Sequence, residues 1–383
     1  MKKTIIGIDL AEDYSQVSYY NDRSMEVETI SVPDQEKQFL IPTPEDLFQV
    51  IHSAKDLGIM SLANFLKHCI SLIKPKPQIQ ATFLMVTMKE ICQPWIDGIK
   101  RACEMLGFEK EQVFLQSYRE SFYYYVMNQK RELWVHNSSL FIYDKSKIFS
   151  YVMKIDNSTK PALVTVCQKG EKDLGYAAGR SQEEWDERRD QRFLELIRET
   201  FQNETASSAF LIGDDFDKSW AVESLQALCR KRHVYQGRNL FTKGACYGAC
   251  ARLHTGKNLD AYLYQSEDLI LQNLRMQMEI RGKNSNYLLI GAGINWYEAE
   301  HTCEFLMDDT NEVLIYGKHM ITGELSSYSI VLDKLPKRPA RTTRLQLHAD
   351  FLDAGRCRIF IRDLGFGEFY PASGLTWESI LSM

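Results

Sequence analysis

The chain has 383 residues, enough for two or three domains, and its 44% hydrophobic and 25% charged residues make an ordinary globular balance that excludes wholesale disorder and collagen-like repeats. Lys and Arg total 46 against 51 Asp and Glu, a net charge of −5, which argues against a role dominated by nucleic-acid phosphates. No apolar run approaches the ~18 residues that cross a bilayer, and the apolar start after Lys3 stops at Asp9, too early for a signal peptide. The expected setting is therefore cytoplasmic, with no membrane and no nucleic-acid partner.

Residues 4–10 read as a short apolar strand carrying Asp9 near its end. The turn Ala11-Glu12-Asp13-Tyr14 follows, and Ser15–Tyr20 alternates as the returning strand. Over 56–73, Ile59, Leu62, Leu66, Cys69 and Ile73 recur at helical spacing, and Lys74-Pro75-Lys76-Pro77 ends the helix. Ala81–Val86 is a buried strand. A second helix spans 89–107, with Ile91, Trp95, Ile99, Cys103 and Leu106 on one side and Gly107 as its stop. A strand at Gln112–Gln116 and a helix near Ser117–Gln129 complete this half.

The pattern then restarts. Ser139–Asp144 is again a short apolar strand ending in Asp, Lys145-Ser146-Lys147 is its turn, and Ile148–Ile155 returns. A charged helix follows at 182–201, with Trp185, Phe193, Ile197 and Phe201 inside. Ala209–Ile212 is a buried strand running into Gly213-Asp214-Asp215. Further helices are predicted around Trp220–Cys229 and around Gly244–Ala249. Past residue 258 the period changes to alternation in short segments: 269–280, 302–307, 312–316, 327–332, 343–351 and 358–362, separated by turns such as Arg281–Asn284 and Asp308–Asn311. That spacing predicts a compact β-sandwich. Nine cysteines, an odd number with no Cys-x-x-Cys, fit thiols in a reducing compartment; most are expected to serve as small core residues, with no zinc site.

The order of these parts resembles the actin/hexokinase/heat-shock ATPase superfamily, followed by a sandwich resembling the substrate-binding domain of DnaK-type chaperones. The chain also looks like members of an uncharacterised family from clostridial bacteria. Ile6-Gly7-Ile8-Asp9 and Phe141-Ile142-Tyr143-Asp144 resemble the two phosphate hairpins. Phe210–Gly213 resembles the strand entering the adenosine loop, and Gly244-Ala245-Cys246 the closing helix. Leu335-Pro336-Lys337-Arg338-Pro339 resembles the chaperone's hinge-proline segment. The resemblance implies an α/β two-lobed actin-like (ribonuclease-H-like) ATPase fold, with lobes at about 1–136 and 137–257. An all-β sandwich at 258–383 follows it, and only Trp377–Met383 is left where those chaperones carry a helical lid. It implies ATP or ADP with magnesium held near Asp9, Ser15, Asp144, Lys145, Ser146, Lys147, Gly213, Asp214 and Gly244, the metal at Asp9 and Asp144. It also implies a peptide or protein partner on the sandwich.

The residues depart from that pattern where the chemistry lies. Phosphates need backbone N–H donors from tight turns, which glycine supplies, and both turns lack it. A carboxylate such as Glu12 or Asp13 held ~4 Å from a phosphate costs roughly 4 kcal/mol at an effective dielectric of 20. Lys145 and Lys147 offset part of this. Ser117 stands where a carboxylate would position the attacking water, Glu120 is one turn further on, and Asp214 replaces a glycine of the adenosine loop. The expectation is a heat-shock-like protein with a degenerate nucleotide site, little or no hydrolysis, and a partner bound by the sandwich at an edge or through loop tips carrying Trp296, Tyr297 and Phe366, residues whose other reading is ordinary packing. Lys334, Lys337, Arg338, Arg341 and Arg344 form a basic run, read either as a solvated hinge or as a dock for acidic groups. The alternatives are an active ATP-driven chaperone-like ATPase and an actin-like scaffold.

Overall fold

Strand β1 (Thr4–Asp9) is buried along almost its whole length because it is paired on both sides. The computed structural model describes residues 3–21, 24–31, 39–52, 56–176, 179, 181–213, 216 and 219–383. Strand β1 turns back antiparallel into β2 (Tyr14–Asn21), which carries β3 (Glu26–Thr29) and the short β4 (Ile41–Pro42). Helices α1 (Leu47–His52) and α2 (Asp56–Ser71) lead to β5 (Thr82–Met88), parallel to β1. Helix α3 (Gln93–Met105) then leads to β6 (Val113–Ser117), parallel to β5. Gly107 ends that stretch at φ 85°, a left-handed position glycine takes without strain. The sheet order is β3-β2-β1-β5-β6.

The same order recurs in the second lobe. Strand β7 (Asn137–Asp144) pairs antiparallel with β8 (Lys147–Asp156), and β8 with β9 (Ala162–Asp173). Helix α5 (Gln182–Phe201) opens on a Ser181/Glu184 capping box and precedes β10 (Ala206–Ile212), parallel to β7. Helix α6 (Val222–Cys229) precedes β11 (His233–Gln236), parallel to β10. The core order β11-β10-β7-β8-β9 repeats that of the first lobe. A ribonuclease-H-like order present twice is the arrangement that an actin-like fold requires. Asp9 and Asp144 are each the last residue of the equivalent first strand.

Two helices tie the lobes together. Helix α4 (Tyr118–Asn128) leaves β6 of the first lobe, but its Phe122, Tyr123, Val126 and Met127 pack with Leu140, Met153, Val164 and Phe210 of the second. Helix α7 (Leu240–Arg252) leaves β11 of the second lobe, but its Ala245, Cys246 and Ala249 pack with Ile5, Val27 and Met85 of the first. Small residues make both contacts possible. A Cβ on Gly7 would stand 2.5 Å from the Cys246 nitrogen, and one on Gly244 2.7 Å from the Ser121 carbonyl carbon. Each helix is buried in the lobe it did not come from.

The compact units divide between Gln265 and Ser266. Strand β12 (Tyr262–Tyr264), which the sequence reading assigns to the sandwich, pairs parallel with β9 and belongs to the first unit. The second unit holds two four-stranded sheets. One contains β13 (Gln272–Ile280), β14 (Lys283–Ile290), β16 (Glu312–His319) and β17 (Leu325–Val331), ordered β14-β13-β16-β17. The other contains β15 (Glu300–Met307), β18 (Thr343–Asp353), β19 (Arg356–Asp363) and β20 (Thr376–Ser382), in that order. Burial alternates along them, with Leu345, Leu347, Ala349 and Phe351 inside on β18, so each sheet buries one face as a sandwich layer does. The tail read as a remnant after the sandwich is its eighth strand: Thr376–Ser382 pairs antiparallel with β19 over seven positions.

Candidate functional site

The ends of the first lobe's strands carry a polar row. Asp9 stands opposite Gln16 of β2 on one side and Thr87 of β5 on the other, and Thr87 stands opposite Gln116 of β6. Paired residues share a face of a sheet, and all four are buried. The first turns of α4 and α7 border the row. Tyr118 Oη donates to Asp9 Oδ1 at 2.7 Å, and its ring stacks on Phe241 with centroids 3.9 Å apart. Ser121 shares hydrogen bonds with Thr87 Oγ1 at 2.6 Å and Gln116 Nε2 at 2.7 Å. Thr242 Oγ1 donates to the carbonyl oxygens of Gly7 and Gln16.

Burial dominates the electrostatics here. Asp9 is 6% exposed, and loss of water pushes its carboxyl up to about 7 although the Tyr118 hydroxyl pulls the other way. Tyr118 is pushed well up by burial and by Asp9. Burial therefore draws Asp9 toward its protonated form near neutral pH. Both polar atoms of the Gln16 amide, and Oε1 of Gln116, are buried without a protein hydrogen-bond partner.

Beyond the row, the two hairpins face each other and are bridged. Lys145 Nζ lies 3.2 Å from Glu12 Oε2, so the lysine expected to meet phosphate is paired with the acid of the opposite hairpin. Asp144 takes Lys89 Nζ at 2.7 Å, and Lys147 takes Glu171 at 3.0 Å. Beside the first turn, Leu10 N–H bonds the Thr87 carbonyl, and Ala11 N–H bonds Ser15 Oγ, which also meets Thr43 Oγ1. Lys145 adopts φ 57°, where glycine would be the relaxed choice at the first position of a tight hairpin turn. Ser146 uses its carbonyl for the Leu174 N–H.

The remaining expected positions are dispersed. Gly213 sits at φ 134° with no room for a side chain, since a Cβ would come 2.5 Å from the Tyr143 oxygen. Asp214 lies outside the described residues. Phe216 and Trp220 are buried against Tyr143 and Phe193 rather than lining a cavity, and buried Arg189 lies over the rings of Trp185 and Trp220 at 4.0 and 4.5 Å. Gly244, expected near a nucleotide, serves the α4–α7 crossing. Ser117 spends its hydroxyl capping α4, and Glu120 is buried against Arg252 Nη2 at 3.3 Å. No group of three or more His, Cys, Asp or Glu able to hold a metal occurs among the described residues. The exposed Lys145–Glu12 and Asp144–Lys89 pairs would have to open before Mg·ATP or Mg·ADP could reach the hairpins as the resemblance implies.

Sequence reading missed Tyr118, Lys89, Gln16, Thr87 and Gln116. A usable signal existed for two of them. Thr87 and Gln116 are polar residues at the C-terminal ends of otherwise apolar parallel strands, the end at which such sheets place their sites. Two surface clefts lie away from this row. One, of about 360 Å³, is lined by residues such as Arg131, His136 and Glu204; the other, of about 520 Å³, by Tyr20, Lys243 and Lys257 among others.

In the second unit the basic run is largely neutralised at home. Arg338 forms a bidentate pair with buried Asp363 at 2.9 and 2.8 Å, and Arg341 pairs with Glu279 and Asp308. Burial works against the Asp363 charge, but hydrogen bonds from Arg338, Ser373 and Gly365 outweigh it and hold the carboxyl far below the usual range. Asp363 thereby clamps both ends of the loop between β19 and β20, through the N–H groups of Gly365 and Ser373. That loop presents Phe369 92% exposed, with Phe366 also in solvent, whereas Trp296 and Tyr297 are buried packing residues. No described helix is long and apolar enough to cross a membrane.

Residues 50–267 match a family model described as family of unknown function (DUF5716), C-terminal, and residues 269–383 match a domain of unknown function (DUF8552). No curated protein matches the chain. Among solved structures, the inorganic polyphosphate/ATP-glucomannokinase of Arthrobacter sp. strain KM is 12% identical, with 66% of this chain and 100% of that chain covered and a TM-score of 0.40. A ROK family protein from Streptococcus pneumoniae, in complex with sucrose, is 10% identical over 66% of this chain and 99% of that one, with a TM-score of 0.40. A Bacteroides thetaiotaomicron protein with actin-like ATPase fold and unknown function is 10% identical over 64% and 96%, with a TM-score of 0.35. Likeness at these scores has no bearing on function; the fold rests on the repeated strand order.

Proposed function

The chain belongs to the family of unknown function DUF5716, and we propose that it is a non-hydrolytic, heat-shock-like binding protein. Its two-lobed body keeps the order of parts of a nucleotide switch and has lost the switch. Its β unit carries the partner, a peptide or protein. The observation that supports this most is the closure of the hairpins on each other: Lys145 is held by Glu12 and Asp144 by Lys89. A phosphate chain would have to break both pairs and then face Glu12. Hydrolysis also needs a positioned water and stabilised phosphoryl charge. Ser117 and Glu120, the residues nearest that role in sequence, serve a helix cap and an ion pair.

The β unit supports the binding half of the reading. A clamped loop holding a phenylalanine in water has been ordered before any partner arrives, which lowers the entropic cost of association. Aromatic anchors of this kind dominate many protein interfaces. Phosphate release from Mg·ATP, measured on the full chain and on Asp144→Ala, tests the proposal. Both should stay at the no-protein background. A wild-type rate above background that Asp144→Ala abolishes overturns it and restores an ATP-driven machine.

A further inference from the structure

Edge strands of sheets carry unpaired N–H and C=O groups, and proteins normally protect them with charge, proline or a bulge. The two sheets of the second unit have four edges: β14, β17, β15 and β20. Strand β15 carries Glu300, His301 and Glu304, and β20 has Glu378 as its third residue. Strand β14 begins with Lys283, and its pairing with β13 shifts register between Leu274 and Arg275. Strand β17 has none of these devices. Its sequence is Leu325-Ser326-Ser327-Tyr328-Ser329-Ile330-Val331, and it pairs with β16 in unbroken register over seven positions. Leu325 is 76% and Val331 53% exposed, at opposite ends of the strand and on the same face.

That sequence is matched to itself under a two-fold axis. Antiparallel pairing of two copies centred on Tyr328 sets Leu325 against Val331, Ser327 against Ser329 on the exposed face, and Ser326 against Ile330 on the other. The apolar ends cover each other, the hydroxyls meet in the middle, and no like charges oppose. Just outside the strand, that register sets Glu324 of one copy against Leu332 of the other. We infer that β17 is a homodimer edge: two copies of this chain join antiparallel along it and merge their four-stranded sheets into one. The occupant is a second copy rather than a foreign strand because the matching is that of the segment with its own reverse. An isologous contact of this kind closes at two subunits, so it makes a dimer and no filament. It needs neither a nucleotide nor a partner peptide, so it stands apart from the proposed function.

Light scattering coupled to size-exclusion chromatography, at micromolar concentration, tests this on the full chain. The wild type should run at twice the 44.4 kDa chain mass. Ser327→Lys/Ser329→Lys should run as a monomer, because lysine then faces lysine across the axis, and Ser327→Glu/Ser329→Glu should do the same. Mixing the two should restore a heterodimer. Leu325→Ser/Val331→Ser, which adds no charge, should weaken dimerisation at least tenfold. A monomeric wild type overturns the inference, including one that gains mass only with an added extended peptide. So does a dimer that survives both charge variants, which places the contact elsewhere.

Discussion

Asp9→Asn should stabilise this protein, and more so as pH rises. The side chain is buried, it accepts a hydrogen bond from Tyr118 Oη, and its carboxyl is pushed up to about 7. The unfolded chain returns it to the ordinary value of about 4. Below pH 4 both states are protonated and ionisation costs folding nothing. Between 4 and 7 the unfolded state ionises first, so stability falls through that window and settles above 7. The gap of about three pH units amounts to about 4 kcal/mol. Asparagine keeps the shape and an acceptor for Tyr118 while removing the proton equilibrium. Urea unfolding at pH 4.5 and pH 8 reads the difference. The variant should match the wild type within about 1 kcal/mol at the lower pH and exceed it by several at the higher, a midpoint shift of about 1 M urea or more. Equal destabilisation at both pH values would refute the reasoning. It would mean that the carboxylate is ionised in the fold and satisfied by a cation.

Three other outcomes follow from the packing. Gly244→Ala forces a methyl into the Ser121 backbone at the crossing of α4 and α7, and should cost about 3 kcal/mol or prevent folding, read by thermal unfolding. Arg338→Ala leaves the buried Asp363 carboxylate without its main partner and should cost about 3 kcal/mol, with proteolytic nicking of the 364–375 loop as a second readout. Phe369→Ser should leave stability within about 0.5 kcal/mol, as expected of an exposed side chain. It should also reduce capture of immobilised extended apolar peptides at least tenfold; unchanged capture would move the partner site off that loop.

Much of the architecture was legible because it is local. The periodicity of Gln182–Phe201 and its capping box define α5 without reference to the rest of the chain. The two strands ending in Asp9 and Asp144 betray the duplication. What escaped depends on partners distant in sequence. Strand β9 alternates in its first half and is charged in its second, because only the first half is buried, and so it lacks one clear period. Strand β4 has two residues and no signal of its own. Lys145 reads as a phosphate ligand until the fold brings Glu12 to it across the lobes, and Arg338 reads as a solvated hinge until Asp363 meets it from β19. Trp296 and Tyr297 read as either loop tips or packing residues, and the loop folds them inward. At the site itself, the departures from the resemblance were visible in Glu12, Ser117 and Glu120. The polar row was not, because its members meet only through strand register.

A thermal melt of the full chain with and without millimolar Mg·ATP and Mg·ADP tests the central claim most directly. A ligand at 100 times its dissociation constant would add about 2.7 kcal/mol to stability, a rise of several degrees. The hairpins bridged by the Lys145–Glu12 and Lys89–Asp144 pairs predict superimposable curves. A magnesium-dependent rise with either nucleotide would contradict them, and would show that the hairpins part and the lobes still take a nucleotide.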